Sequence, residues 1–473
     1  MSIIIPANSA VAGGFDITNG CRFDRASSDY LSRSFSGSRT GSGTKFTFST
    51  WIKRSQLGTD QTICYNYGSS VQFGYLYFRG SQKDVRYFDR VDGGDTCVGT
   101  SAPFEFNDNT AWYHFVLQVD TTLGTGADRV KLYVNGVFRA FAFDNTPNQD
   151  QALNFGAVAT RTISSNYGGG NYFDGYQCET IFIDGQALQA DSFGEFDGDS
   201  GIWKPINVSG LTFGSIGFYL EYQNSGALGT DSSGGSNTFT AVNIAAINQT
   251  TDTCTNNFAT MNSLDAYWSA STFEDGNCTI IMPETTNETY TRATMGVNSG
   301  KWYWEALCTV QNSTMNAGIV DSPAIATNTE LGKRPKGLSW NDSGSLNGND
   351  AQVFNGTQAP AYSTSQIISF AMDLDNNFLY LRLAGSYTNS GNPESGASGT
   401  GGAAIPTNPS SGFYFPAFGD SSTSGGRYQV NFGNSPFAIS SGNTDGNDRG
   451  NFEYTVPSGY LALCTKNLSG ELS

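Results

Sequence analysis

Run after run of this chain alternates apolar and polar side chains with a two-residue period, the signature of a strand with one buried face. Segment 300–310 (GKWYWEALCTV) does so, and so does 368–387 (ISFAMDLDNNFLYLRLAGSY), where a polar turn at 373–377 separates two strand-like runs. Earlier, 46–55 (FTFSTWIKRS) and 111–120 (AWYHFVLQVD) alternate in the same way. Segment 128–143 (DRVKLYVNGVFRAFAF) reads as a hairpin about Asn135-Gly136, a pair that tolerates the positive φ of a tight turn. Segment 171–188 (NYFDGYQCETIFIDGQAL) predicts another strand closed by Asp184-Gly185. Only 187–196 (ALQADSFGEF) reads as a short helix. The pattern predicts an all-β protein.

The order of the motifs in the first half is similar to that of concanavalin A-like, laminin-G-like jelly rolls, over about 27–188. The carboxy half, with 412–420 (GFYFPAFGD), 427–437 (RYQVNFGNSPF) and 456–467 (VPSGYLALCTKN) added to the two segments quoted first, resembles a SPRY domain. Together the two resemblances imply two antiparallel β-sandwich (jelly-roll) domains joined by a partly ordered connector, with a leading or attachment segment at 1–26, the jelly roll at 27–205, the connector at 206–265 and the SPRY-like sandwich at 266–473. The connector is rich in Gly, Ser, Asn and Thr, yet Phe218, Tyr219, Leu220, Val242, Ile244 and Ile247 give it apolar anchors. It is expected to pack between or against the sandwiches. Segment 390–412, made of small residues, reads equally as a flexible linker or as a loop for binding or subunit contact.

The opening 1–31, with 191–205 (DSFGEFDGDSGIWKP) and 251–267 (TDTCTNNFATMNSLDAY), resembles a protein type of marine bacteriophages in which such a jelly roll is joined to a SPRY domain. The resemblance implies a non-enzymatic virion structural protein, a short fibre, tail or capsid appendage, assembled in the bacterial cytoplasm and resident in the particle. The implied partners are host-surface polysaccharide or neighbouring virion proteins, with a homo-oligomer, a trimer, as the expected assembly. Two alternatives stay open: a decoration protein acting only through assembly contacts, and an enzyme acting on surface polysaccharide.

Composition narrows the partners. Aromatics are 13% and 57 residues are Gly, which suits strands and tight turns. With 25 Lys+Arg against 42 Asp+Glu the formal charge is −17, which repels phosphate backbones and anionic membrane surfaces alike. No run approaches the ~18 consecutive apolar residues of a membrane span. The amino end lacks a basic start, and Pro6 interrupts its apolar core at once, so a leading strand is expected there rather than a signal peptide. Eight cysteines form no CxxC pair, and reduced, buried thiols are expected, Cys178 and Cys308 among them.

Candidate chemistry is sparse. His114, the only histidine, alternates in phase with Trp112 and is expected to be structural. Glu195, Asp197 and Asp199 imitate the paired carboxylates of glucanases, but alternate carboxylates share a face only on a strand, and a solvated turn is expected here. No cofactor is implied. Calcium would be held by Asp92, Asp95, Asp174 and Asp184 at loop or strand ends, although loop aspartates also serve simply as turn formers. Stacking of sugar rings on aromatics beside Asn and Asp singles out Tyr167, Asn171 and Tyr172, and Trp340, Asn341 and Asp342. Aromatics at such positions also form lids over a core.

Overall fold

A computed structural model of the chain describes residues 14–266, 271–284, 287–312, 314–321, 331–334, 336–348, 351–352 and 359–468. The chain divides into two units, one ending at Asn257 and the other starting at Phe258. The expected leading strand near residues 3–5 lies outside the described residues. Strands dominate both units, and no helix among the described residues is long and apolar enough to cross a membrane.

The first unit is a sandwich of two antiparallel sheets. One runs in the order Val137–Arg139, Val130–Val134, Trp112–Asp120, Lys45–Arg54, Gly175–Asp184, Gly20–Phe23, Gln249–Thr250, with Phe218–Leu220 paired to the far end of Gly175–Asp184. The other runs Ala142–Asn145, Gly94–Thr100, Asp84–Val91, Gln72–Arg79, Gln61–Ser69, Thr160–Ile163, Tyr30–Ser34, Thr240–Val242. Between them lies a core rich in phenylalanine, including Phe46, Phe48, Phe78, Phe115, Phe155 and Phe182. The predicted hairpin turn is present, with Asn135 and Gly136 at φ +49° and +76°, values that suit Asn and Gly.

Every residue of Gly175–Asp184 is buried, because the outer face of its sheet is covered as well. Trp203, Val208, Phe213 and Tyr219 form a second apolar layer there with Trp51, Trp112, Tyr176 and Ile181. This explains the segment read as a connector. It supplies Phe218–Leu220 and Gln249–Thr250 to one sheet and Thr240–Val242 to the other, so 206–257 is part of the first sandwich. Gly20–Phe23, assigned to the leading segment, likewise pairs with Gly175–Asp184. The helix predicted at 187–196 is one 3-10 turn, Ala190–Ser192, followed by the strand Gly194–Phe196 paired with Trp203–Pro205. Ala190 and Phe193, three apart, are the buried pair, which suits a single tight turn and no more.

The second unit packs a sheet in the order Met261–Ala266, Thr289–Ala293, Phe415–Asp420, Asn316–Val320, Leu338–Asn341, Leu346–Gly348, Ala351–Gln352 against another. The latter runs Thr272–Glu274, Thr279–Ile281, Arg427–Asn431, Lys301–Val310, Ile367–Asp373, Phe378–Leu383, Ser386–Tyr387. Alternation in Lys301–Val310 sends Trp302, Trp304, Ala306 and Cys308 into the core. Tyr303 lies on the opposite face with Phe452 and Tyr460, and Glu305, also there, accepts the backbone N–H groups of Glu453 and Tyr454, each at 2.9 Å. Segment 390–412 is folded onto this unit. Ala403–Ala404 pairs with Phe378–Leu379, Ile405 is buried, and Pro393 accepts the Tyr460 hydroxyl.

Candidate functional site

Three neighbouring strands of the second sheet in the first unit, Gln61–Ser69, Gln72–Arg79 and Asp84–Val91, carry aromatic residues in both alternation phases. One phase, with Cys64, Leu76, Phe78, Val85 and Tyr87, fills the core, and a register shift between Thr62 and Cys64 adds Ile63 to it. The other places Tyr65, Tyr67, Phe73, Tyr75, Tyr77 and Phe88 on the outer face. Register sets them side by side: Tyr65 opposes Tyr75, Tyr67 opposes Phe73, and Tyr75 opposes Phe88. Ring centroids are 5.2 Å apart for Tyr65–Tyr75, 5.3 Å for Tyr75–Phe88 and 5.7 Å for Phe73–Phe88. Tyr167 extends the row from its loop, lying 3.7 Å from Tyr67 and nearly parallel to it while 49% exposed.

A rim of polar groups frames the rings. The Arg90 guanidinium lies over Phe73 and Phe88 and is paired with Asp95 at 2.5 Å. Arg86 meets Asp144 at 3.3 Å, and Gln72 donates to Asp92 Oδ1 at 2.8 Å. Burial pushes the Tyr65 phenol up to about 12, with Tyr67 adding to the effect and Arg90 opposing it. Burial likewise raises Tyr75. These two phenols therefore stay neutral at physiological pH and can donate hydrogen bonds. A continuous aromatic surface edged by ionic pairs and amides offers both the flat apolar contact and the directional partners that a polyhydroxylated ring needs.

The structure gathers Tyr167, Asp92 and Asp95 around this face and sends the other predicted site residues elsewhere. Asn171 is exposed in the same loop at φ +43°, its carbonyl accepting Thr62 N–H at 2.7 Å. Tyr172 packs against Tyr30, 6.2 Å away. Asp184 is buried and accepts the backbone N–H groups of Thr40 and Gly41 at 2.8 and 3.3 Å, which makes it a loop anchor. Asp174 is buried, and its carbonyl accepts Ser55 N–H. Among the described residues no three His, Cys, Asp or Glu side chains group as a metal site would require.

The second predicted triplet is corrected. Trp340 is 0% exposed, stacks edge-on with Tyr362 and donates to the Pro360 carbonyl at 3.0 Å. Asp342 is buried and accepts from Gln311 at 2.5 Å, and Asn341 caps a turn through Ser343. A fully enclosed indole presents no face to a sugar. The strand Leu338–Asn341 pairs on both sides, and alternation along it sends Leu338 and Trp340 together into the core.

His114 and the carboxylates also have definite settings. Trp203 Nε1–H donates to His114 Nδ1 at 3.0 Å, so the ring proton is on Nε2 and is donated to Ser49 Oγ at 2.8 Å. Trp51 stacks on the imidazole at 4.6 Å, and burial lowers its pKa to about 3. A ring that donates to the serine has no lone pair with which to activate it. Glu195 and Asp197 both reach Lys204, at 3.3 and 3.2 Å, beside a cleft of about 340 Å³ lined by Tyr133, Phe196 and Trp203 among others. Asp197 is held down to about 2 by the backbone and hydroxyl of Ser200 and then by Lys204, so it is no proton donor at neutral pH.

Sequence reasoning missed Tyr65, Tyr67, Phe73, Tyr75, Tyr77 and Phe88. The available signal was the same-phase spacing of rings in 65–67 and 73–77.

Residues 26–191 match the family model described as the concanavalin A-like lectin/glucanases superfamily. No curated protein matches the chain. Among solved structures the chain is similar to the SPRY domain of human HERC1, at 14% identity over 36% of this chain and 96% of that one, with a TM-score of 0.28. Stonustoxin is similar at 14% identity over 37% of this chain and 27% of that one, with a TM-score of 0.27. A human SPRY domain gives 14% identity, 34% and 93% coverage and a TM-score of 0.25. Scores of this size carry no weight for function. The family match is confined to the first unit, whose jelly roll is thereby similar to lectins and glucanases.

Proposed function

We propose that this protein is a non-enzymatic recognition protein that holds carbohydrate on the aromatic outer face of its first sandwich and serves as a structural appendage of a phage particle. The observation that carries the binding reading is the continuous row Tyr167, Tyr67, Phe73, Tyr65, Tyr75 and Phe88, edged by Arg90 with Asp95. Side chains of this kind on an outer face stabilise little while unliganded, and their clustering suits a flat partner. The appendage reading rests on the sequence resemblance described above. The absence of a catalytic role is supported by the enclosed His114 and the depressed Asp197.

The test is titration of the purified chain with polysaccharides extracted from candidate host envelopes. Tyr67→Ala and Tyr75→Ala should each weaken binding about fivefold, since a lost ring contact is worth on the order of 1 kcal/mol, while leaving the circular dichroism spectrum unchanged. Binding that survives both changes, or release of reducing ends during incubation, defeats the proposal. Mass spectrometry of purified particles tests residence in the virion. A reading through assembly contacts alone is favoured by a different observation, the exposed Phe196 lining the Glu195 cleft and the exposed Phe138 packed 5.9 Å from Tyr133 of the same lining. Oligomers broken by Phe138→Ser with glycan binding absent throughout would select it.

A further inference from the structure

Lys53 is a lysine with almost no access to water. Its side chain is 2% exposed and sits on the outer face of the central strand Lys45–Arg54, between its cross-strand partners Trp112 and Tyr176, both buried. The Tyr176 ring centroid is 5.3 Å from Nζ. Two residues from the closing segment of the unit complete the enclosure. Nζ donates to Asp252 Oδ2 at 2.8 Å and to Asn257 Oδ1 at 2.7 Å. Asp252 is 0% and Asn257 1% exposed. Asn257 Nδ2 donates to the Thr110 carbonyl at 2.8 Å, which together with the Nζ contact fixes the orientation of the amide. Trp112 Nε1–H donates to the second oxygen of Asp252 at 3.2 Å.

An amine, a carboxamide and a carboxylate held together in a dry pocket are the three parts of an acyl transfer. We propose that Lys53 and Asn257 become joined by an amide bond, with Asp252 as the proton carrier. The sequence begins with passage of one proton from Nζ to Asp252 Oδ2 along the 2.8 Å hydrogen bond that already joins them. The freed nitrogen pair attacks Cγ of Asn257, forming the Nζ–Cγ bond as the carbonyl π pair moves to Oδ1. Asp252 gives its proton to Nδ2 and takes another from Nζ. The Cγ–Nδ2 bond then breaks and ammonia leaves. The hydrogens of the starting ammonium and carboxamide are all accounted for in the new amide N–H, the ammonia and the protonated Asp252, so no oxidant or activating cofactor is needed. Asn257 is the acceptor rather than Asp252 because its carboxamide carries the ammonia that leaves, while Asp252 shuttles the protons between Nζ and Nδ2. Fixed proximity replaces the encounter that makes such exchange slow in water.

Mass spectrometry of the purified wild-type chain in denaturant, followed by peptide mapping, decides the matter without depending on any variant folding. The chain should be lighter by one ammonia (about 17 Da), and Lys53 and Asn257 should be recovered in one branched peptide. Lys53→Arg, which keeps the positive charge on Asp252, and Asn257→Ala should both run at full sequence mass, and Asp252→Asn should slow the mass change by at least tenfold. A wild-type chain of full mass, fresh and after prolonged incubation, overturns the proposal. Loss of water with the branch at Asp252 overturns the assignment of the acceptor, and an unchanged rate in Asp252→Asn overturns the role given to that carboxyl.

Discussion

At Glu179 the burial of a single carboxyl has a measurable cost. Its side chain lies in the first unit with Tyr219 donating to Oε2 at 2.5 Å, and burial raises its pKa from 4.5 to about 8. The folded state therefore keeps a proton that the unfolded state gives up. This contribution is complete below pH 4.5 and is lost as pH rises through about 8, at up to about 1.4 kcal/mol per pH unit. Asp29 and Asp89, both raised to about 7 by burial, act in the same direction. His114 acts oppositely and on the acid side, because its ring stays neutral in the fold to about 3 while the unfolded ring takes a proton below 6.5. We expect the melting temperature of the wild type to fall between pH 5 and 9, and to fall less steeply in Glu179→Gln. Identical slopes in the two proteins would refute this. Trp340 and Tyr167 make a second contrast. Trp340→Ala should cost about 3–5 kcal/mol in chemical denaturation, the usual penalty for an emptied aromatic core site, whereas Tyr167→Ala, half exposed, should cost under about 1 kcal/mol. Composition in a loop-like segment marked both residues equally, and only the sheet around each separates them.

Among the elements, the long strands were legible and the short ones were not. Lys45–Arg54, Trp112–Asp120, Gly175–Asp184 and Lys301–Val310 each alternate long enough to declare a period. Thr240–Val242 and Gln249–Thr250 are three and two residues long and carry no period at all. They are fixed by the partners beside them, so a segment that looked like linker became part of the first sandwich. The aromatic face was missed for a related reason: alternation shows that two faces differ, but two apolar phases do not say which one points outward. A truncation follows from the pairing. A chain ending at residue 257 should give a cooperative unfolding transition, while one ending at 205 should aggregate or melt broadly, having lost Phe213, Tyr219 and the strand Phe218–Leu220 from the face of Gly175–Asp184. Differential scanning calorimetry of the two fragments checks it.

For the whole molecule, all eight cysteines are buried thiols outside any disulfide. Thiol reagents should titrate fewer than one group per native chain and eight after denaturation, with the melting temperature indifferent to reductant. Rapid labelling of the native chain would contradict the packing around Cys178 and Cys308.

The seam where the first unit begins and finishes has a mechanical meaning. Gly20 and Cys21 lie antiparallel to Thr250 and Gln249, and Ile17 exchanges hydrogen bonds with Thr253 and Thr255 close by. Tension drawn on residues 14 and 257 thus acts from one end of this short pairing, which peels open bond by bond like a zip, whereas a tether from Asn257 to Lys53 would hand the pull to the middle of the sheet, where many rungs must shear at once.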